Sequence, residues 1–425
     1  MANMFNRGLV AAMEDEAQAQ AVAMDETGAE SMEADLVETV DMAANIEQGT
    51  SEMEQTIADA DQLEQHVEVL TDAEGEGGAS PEVVEVTEIA VEGICRRLGI
   101  YGGAGLPALE SFSTATGRAR NTRYAIESLS DKIKKIWEAV KAGFKKLVNY
   151  VKDFFAKLFD TNKKMLARVQ SLRNKLKDSK ADGKGKVKAA GISNLLGSEN
   201  PMAAVTGLTI KDAFKVGTDT AAELTDFIGG VADKGAFDKT KWTPFSGLGV
   251  SKASAPEGFQ WQNVAIIGTS KVIALMPTKA ATGAEAYKAA AQFKVKADRE
   301  EGKNGEDLQS LAKDAIGKLL DAVEGKVKEL MNSNSEIAGI NQKLDLAVND
   351  ITKAVNAASS DDKEADGRST TARTAVSSIA NGSISLISTV GSEAVRALNA
   401  ALTYAERSLG ATEEKKDEPK KDAKK

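Results

Sequence analysis

A chain of 425 residues is long enough for two or three domains and a substantial buried core, and with aromatics at only 5% that core must rest largely on small and aliphatic side chains. One cysteine, Cys95, excludes an internal disulfide framework, and one histidine, His66, excludes an ordinary histidine-based metal or catalytic cluster. The net charge of −10 hides a polarity along the chain: residues 1–90 hold 23 acids against Arg7 alone, whereas residues 121–190 hold 19 Lys and Arg against 7 acids.

The opening "MANMFNRGLVAAMEDE" has one arginine and a short apolar patch that runs into acids, so it reads as no secretory signal. The acidic region that follows carries Met, Leu, Val and Ile at helical spacing, which predicts helices near 32–46 and 51–70. They are weakly apolar and should be stable only against a partner. "TDAEGEGGASPE" is a linker, and a further helix starts at its end, with Ser80 as cap and Pro81 in the first turn, and stops at "YGGAGLP".

The strongest pattern is "KIKKIWEAVKAGFKKLVNYVKDFFAKLFD", from Lys132 to Asp160. Ile133, Trp137, Val140, Phe144, Leu147, Val151, Phe154 and Leu158 follow at alternating steps of four and three, one continuous packing seam. Ile136, Val148, Phe155 and Phe159 widen it to a face, and Met165, Val169, Leu172 and Leu176 continue it less strictly until "KADGKGK". No proline interrupts 120–178, so the spacing predicts one helix of about 45–50 residues, ~70 Å long; Gly143 and "FDTN" are its weakest points.

Residues 191–300 are turn-rich, with a β-hairpin of strands about 259–267 and 272–276 around "GTSK" and a third strand at "AQFKVKA". Beyond it, "GEDLQSLAKDAIGKLLDAVEGKVKELMNS" and three later segments read as helices with short connections. The last two of these, "STTARTAVSSIANGSISLISTV" and "GSEAVRALNAALTYAERSL", are rich in Ala, Ser and Gly, which permits close backbone approach. The expected fold class is therefore mainly α: elongated amphipathic helices and an antiparallel helical bundle, with a small α+β or β-hairpin insertion. The expected division is an acidic, partly helical leader at 1–110, a basic helix at 111–190, an α+β module at 191–300, a helical bundle at 301–410, and a charged, disordered tail at 411–425.

Catalytic chemistry is hard to assemble from this inventory. His66 sits in "LEQHVEVL" as a solvated surface residue, and Cys95, although flanked by Arg96 and Arg97, reads best as a partly buried small residue on a helix. "FIGGVADKG" and "AIIGTSKV" match neither a phosphate-binding loop nor a dinucleotide fingerprint, and "AVNDITKAVNAASSDDKEADG" lacks the ligand alternation of a calcium loop. No enzyme activity, metal or cofactor is expected. The functional signal lies in Lys132, Lys134, Lys135, Lys141, Lys145, Lys146, Lys152, Lys157, Lys163, Lys164, Arg168, Arg173, Lys175 and Lys177 along the long helix. Such an array suits a phosphate backbone and reads no bases. It also suits an anionic membrane surface with Trp137, Phe144, Phe154 and Phe155 immersed, or an ordinary solvated helix face.

The stretch "PALESFSTATGRARNTRYAIESLSDKIKKIWEAVKAGFKKLVNYVKDFFAKLFD" resembles the internal head, or prohead core, proteins of large tailed bacteriophages. There a Leu-Glu-Ser step precedes an arginine-bearing helix and then a run of the type Ile-Trp-x-Ala-x-Lys ending in Lys-x-Phe-Phe-x-Lys-Leu-Phe, and the likeness covers about residues 80–180. The resemblance implies a virion protein of the capsid interior, made in the host cytoplasm, co-assembled with capsid or prohead core proteins, cut by the phage prohead protease, and retained with packaged double-stranded DNA. Some such proteins are ejected with the DNA. The related proteases cut after a glutamate that has a small residue two positions earlier. Ala108, Glu110 and the following Ser111 fit that form between the two charge blocks, and Gly28 to Glu30 and Ser31 to Glu33 fit it more weakly. The alternatives are an ejected or membrane-active virion protein acting through residues 131–178, and a non-viral coiled-coil scaffold.

Overall fold

The computed structural model describes residues 26–98, 105–197, 199–245, 247–299, 307–357 and 363–411. The opening patch and most of the charged C-terminal tail therefore lie outside the described residues. Two helices dominate the first half, α1 (Glu26–Gly75) and α3 (Ala115–Asp178), joined through α2 (Pro81–Arg97) and a single 3-10 turn at Leu109–Phe112. Ser80 caps α2 by accepting the Val83 backbone N–H, with Pro81 in the first turn, as its sequence requires.

α1 and α3 lie antiparallel over almost their whole length. Thr39 meets Thr161, Gly49 faces Leu147, Met53 fills the space beside Gly143, and Glu74 reaches Arg123. This pairing explains why neither long helix breaks where its own sequence is weakest. Each of Gly49 and Gly143 costs about 1 kcal/mol of helix propensity relative to alanine, but the space it leaves is occupied by a large side chain of the other helix. Thr161 and Asn162 of "FDTN" are buried, and the Thr161 hydroxyl donates back to the Lys157 carbonyl at 2.9 Å. α3 is consequently one unbroken helix of 64 residues. The two acidic helices expected at 32–46 and 51–70 are likewise one helix of 50 residues, a correction with the same physical cause.

A second correction concerns the C-terminal helices. After α9 (Lys313–Asn332) and α10 (Asn334–Ala357), the two small-residue segments form one helix, α11 (Lys363–Gly410), that runs straight through Gly391. A Cβ at Gly391 would lie 3.1 Å from the Phe154 ring of α3 and 3.2 Å from Leu158, so the glycine is where α3 seats these two side chains. From Ala372 to Ala405 most residues of α11 are buried, because α1, α3, α6 (Ile210–Ala232) and α9 all pack on it. A helix enclosed on all sides cannot show an amphipathic stripe.

Between α3 and α9 the chain builds small antiparallel sheets. β1 (Lys186–Val187) pairs β7 (Leu308–Gln309), β2 (Lys241–Trp242) pairs β5 (Ala281–Thr282), and β3 (Phe259–Ile267), β4 (Ser270–Pro277) and β6 (Val295–Arg299) form a three-stranded sheet. The hairpin turn needs Gly268, which has φ +62° and would press a Cβ into the Leu195 carbonyl oxygen. Short helices α4 (Ser193–Leu196), α5 (Pro201–Thr206), α7 (Lys234–Lys239) and α8 (Ala284–Ala290) tie this region to the long helices. A cluster of Phe227, Phe237, Trp242, Tyr287 and Phe293 forms its centre, with Phe237 and Tyr287 stacked at 4.3 Å. One apolar core runs from Ala43 of α1 to Ala405 of α11.

Candidate nucleic-acid interface and processing segment

The eight seam residues Ile133, Trp137, Val140, Phe144, Leu147, Val151, Phe154 and Leu158 are all buried, none more than 8% exposed. Phe154 and Phe155 meet edge to face, and Phe155 continues the stack to Phe214 of α6. With its apolar face facing inward, α3 turns its lysines outward, but they fall into two sets.

The C-terminal half of α3 is largely paired. Lys157 binds Asp35 and Glu38 of α1 at 2.8 and 2.5 Å, and Lys164 also binds Asp35. Bonds to Asp35 and Glu38 hold the Lys157 ammonium above its ordinary range. Burial pushes the Asp35 carboxyl up, but the two lysines outweigh it and hold the group below the usual carboxylate value. Arg168 binds Asn399 and Glu406 of α11, and Lys175 lies 3.6 Å from the same Glu406. Arg173 bridges Asp321 and Glu324 of α9, Lys152 reaches Asp345 of α10, and Lys177 donates to Asn174. Lys163 sits over the Phe159 ring.

The N-terminal half presents its charge to solvent. Lys134, Lys135, Lys145 and Lys146 are exposed and Lys141 is half-buried. Lys134 makes a long contact to its neighbour Asp131, 3.7 Å, and Lys146 lies over the Tyr150 ring. Lys132 is half-buried with its ammonium close to Gly105. Steps of seven and four place Lys134, Lys141 and Lys145 on one face, and a further step of seven reaches Lys152, which is paired with Asp345. The row from Lys134 to Lys145 is about 17 Å long at 1.5 Å per residue, about half of one turn of a DNA duplex. Glu138 interrupts it, so the stripe is basic without being uniform.

The acidic helix touches this stripe little. Its carboxylates engage Arg123, Lys157 and Lys164, at the ends of the α1–α3 pair. Midway, Glu64 accepts the Trp137 indole N–H at 2.9 Å and pairs with Arg373 of α11 at 3.0 Å, while the Arg373 guanidinium lies over the Trp137 ring at 5.1 Å. Next to it, Asp61 accepts the Thr374 hydroxyl; burial pushes its carboxyl up to about 6, with Glu64 adding to the rise and Arg373 opposing it. Sequence spacing carries no sign of this junction. A groove of about 690 Å³ between α1 and α3 is lined by Met42, Gln48, Glu52 and Met53 on one side and Lys146, Tyr150 and Asp153 on the other.

Ala108 and Glu110 of the processing motif are exposed, and Ser111 is half-buried. Ala108 and Glu110 lie at the 3-10 turn with Glu110 at its surface, but Phe112, two residues on, is fully buried. The Ser111 carbonyl accepts the Asn121 amide at 2.8 Å and the Phe112 carbonyl accepts Arg118 at 2.9 Å. Gly28 to Glu30 and Ser31 to Glu33 instead lie in the first turns of α1. His66 is half-buried, and burial lowers its affinity for a proton. Cys95 is buried on α2, and the nearby Arg97 is committed to Asp59 at 2.6 Å. Among the described residues no group of three His, Cys, Asp or Glu is placed to hold a metal ion, and no helix is long and apolar enough to cross a membrane.

The site is thus a solvent-facing basic stripe on one long helix whose apolar face is buried in a shared core. The chain belongs to the phiKZ-like phage internal head proteins, whose family model matches residues 12–407. It is thus a protein of the phage head interior, and its neighbours are head components. No curated protein and no solved structure matches the chain.

Proposed function

We propose that this internal head protein lies against packaged double-stranded DNA and contacts its backbone, without base preference, through Lys134, Lys135, Lys141, Lys145 and Lys146. In this reading it is made in the host cytoplasm, joins the prohead core with other core or capsid proteins, and is cut by the prohead protease after Glu110. The observation that carries the DNA contact is the division of α3 itself: its seam is buried, while Lys134, Lys135, Lys145 and Lys146 are exposed and Lys141 is half-buried beside them. Lysines act here as point charges that replace condensed counterions, so binding falls steeply with salt. The position of Glu110 beside a helix-free stretch supports the cut, since a protease must draw several residues into extended form. The anchored Ser111 and Phe112 carbonyls mean that this turn must first open locally.

Membrane immersion needs Trp137, Phe144, Phe154 and Phe155 at the surface, and all four are buried. A scaffold that self-associates through the 133–158 seam needs that same face, which α1 and α11 already occupy. Titrating the full-length protein with duplexes of unrelated sequence over a salt series tests the proposal. Sequence-indifferent, salt-steep binding supports it; binding that is absent at low salt, or flat with salt, contradicts it.

A further inference from the structure

We infer that cutting after Glu110 does not release the acidic segment: residues up to Glu110 stay docked on 111–425 as a second, non-covalent chain. The inference rests on the reading that Glu110 is the processing point. Composition suggests a detachable leader, because residues 1–110 carry a net charge of −22 and the remainder +12. The packing contradicts detachment.

α1 is held along two walls. On α3 it is pinned near one end by Thr39 against Thr161, midway by Glu64 on the Trp137 indole, and at the other end by Glu74 on Arg123. On α11 it is held by Asp61 on Thr374, Glu64 on Arg373, and Thr50 with Ser385. Between these walls Ile46, Ile57, Ala60, Leu63 and Leu70 are at most 3% exposed. An apolar contact of this kind, running along a 50-residue helix, resembles obligate interfaces, which stay closed without a covalent link. Departure of α1 would bare the α3 seam and leave Arg373, whose side chain is 8% exposed, without Glu64. Removing one partner of such a buried pair is far costlier than removing both.

The cut itself touches none of these contacts, since Glu110 sits in the 3-10 turn outside the α1–α3 pairing. Cleavage therefore removes only the effective concentration given by the connecting chain. The cut product keeps the whole net charge of −10, and the lysine row of α3 is the same surface before and after. The sign reversal that the bare sequence suggests does not follow from cleavage alone.

The test uses the full chain with a recognition sequence for a site-specific protease inserted between Pro107 and Ala108, cut to completion. Size-exclusion chromatography and native mass spectrometry then read the product at about 0.15 M and about 1 M NaCl, which span the range over which exposed charges become screened. The expected result is a 1:1 complex of both fragments at both salts, with the helical circular dichroism unchanged. A free N-terminal fragment, with the larger fragment alone or aggregated, overturns the inference. Leu63→Asp in the cut protein should shift the product towards separate fragments, showing that the apolar wall holds them. Because the cut is engineered, failure here bears on docking alone. Use of Glu110 in the phage is read separately, from the virion protein's N-terminus.

Discussion

Trp137 of the basic helix donates its indole N–H to Glu64 of the acidic helix at 2.9 Å, across 73 residues of sequence. Arg373 closes the arrangement by pairing with Glu64 and lying over the Trp137 ring, so α1, α3 and α11 meet at one point. The charge contrast of the sequence is thus resolved inside the molecule by a few specific contacts around a shared apolar core. Trp137→Phe keeps an aromatic ring but removes the donor, and should cost about 1–2 kcal/mol of unfolding free energy. Trp137→Ala should cost about 3–5 kcal/mol. Urea unfolding followed by circular dichroism measures both, and equal small effects would place the junction outside the stabilising core.

Gly391 should not tolerate a large side chain. In an exposed helix Gly→Ala gains about 1 kcal/mol, but here the added carbon meets Phe154 and Leu158 at 3.1 to 3.2 Å. Gly391→Leu should destabilise by roughly 1–3 kcal/mol through overpacking. Phe154→Asp, which buries a charge in the same place, should prevent folding or assembly. An unchanged thermal midpoint for either variant would contradict this packing.

Asp61 gives a pH signature of definite sign. Its folded-state value of about 6 lies above the ordinary aspartate value, so the folded state holds this proton more tightly than the unfolded chain. Between about pH 4 and 6 the unfolded state binds fewer protons at this site, and its contribution to stability falls as pH rises. Asp61→Asn keeps an acceptor for Thr374 and removes the ionisation. It should raise stability at about pH 7 by about 1–3 kcal/mol and have little effect near pH 4. Unfolding curves of both proteins at the two pH values provide the check; a variant less stable than the parent at neutral pH would argue that the ionised carboxylate is needed.

The two sets of lysines should separate in DNA binding. Changing Lys135, Lys141 and Lys145 to Gln should weaken binding to all duplexes alike and flatten the log–log salt dependence by up to ~0.9 for each phosphate no longer neutralised. Changing Lys157 and Lys164 should instead lower stability, because both serve Asp35. Parallel titration and unfolding of the triple variant and the double variant distinguishes the sets, and an identical effect on affinity would remove the assignment of the stripe.

The α3 seam is legible in the sequence because eight large apolar side chains from Ile133 to Leu158 recur at steps of three or four, and the hairpin because Gly268 punctuates two apolar runs. Continuity of the long helices is not legible there. Gly49, Gly143 and Gly391 look like breaks until Leu147, Met53 and Phe154 are seen to fill them, and those residues are distant in sequence. The lysines can all be placed off the seam by spacing, but their division into paired and solvent-facing sets depends on Glu406, Asp321, Glu324 and Asp345, which no local pattern connects to α3. The packing of the acidic region is hidden for a related reason. Ile46, Ile57, Leu63 and Leu70 are few and sit between two walls, leaving only a faint one-sided stripe among the acids.

A processed protein of the head interior is tested most directly by the start of its chain in the mature particle. Terminal-peptide mass spectrometry of the protein from purified virions should find a new N-terminus at Ser111, produced by cleavage after Glu110. A chain that begins only at Met1 or Ala2, or one cut only to start at Ser31 or Ala34, would contradict it.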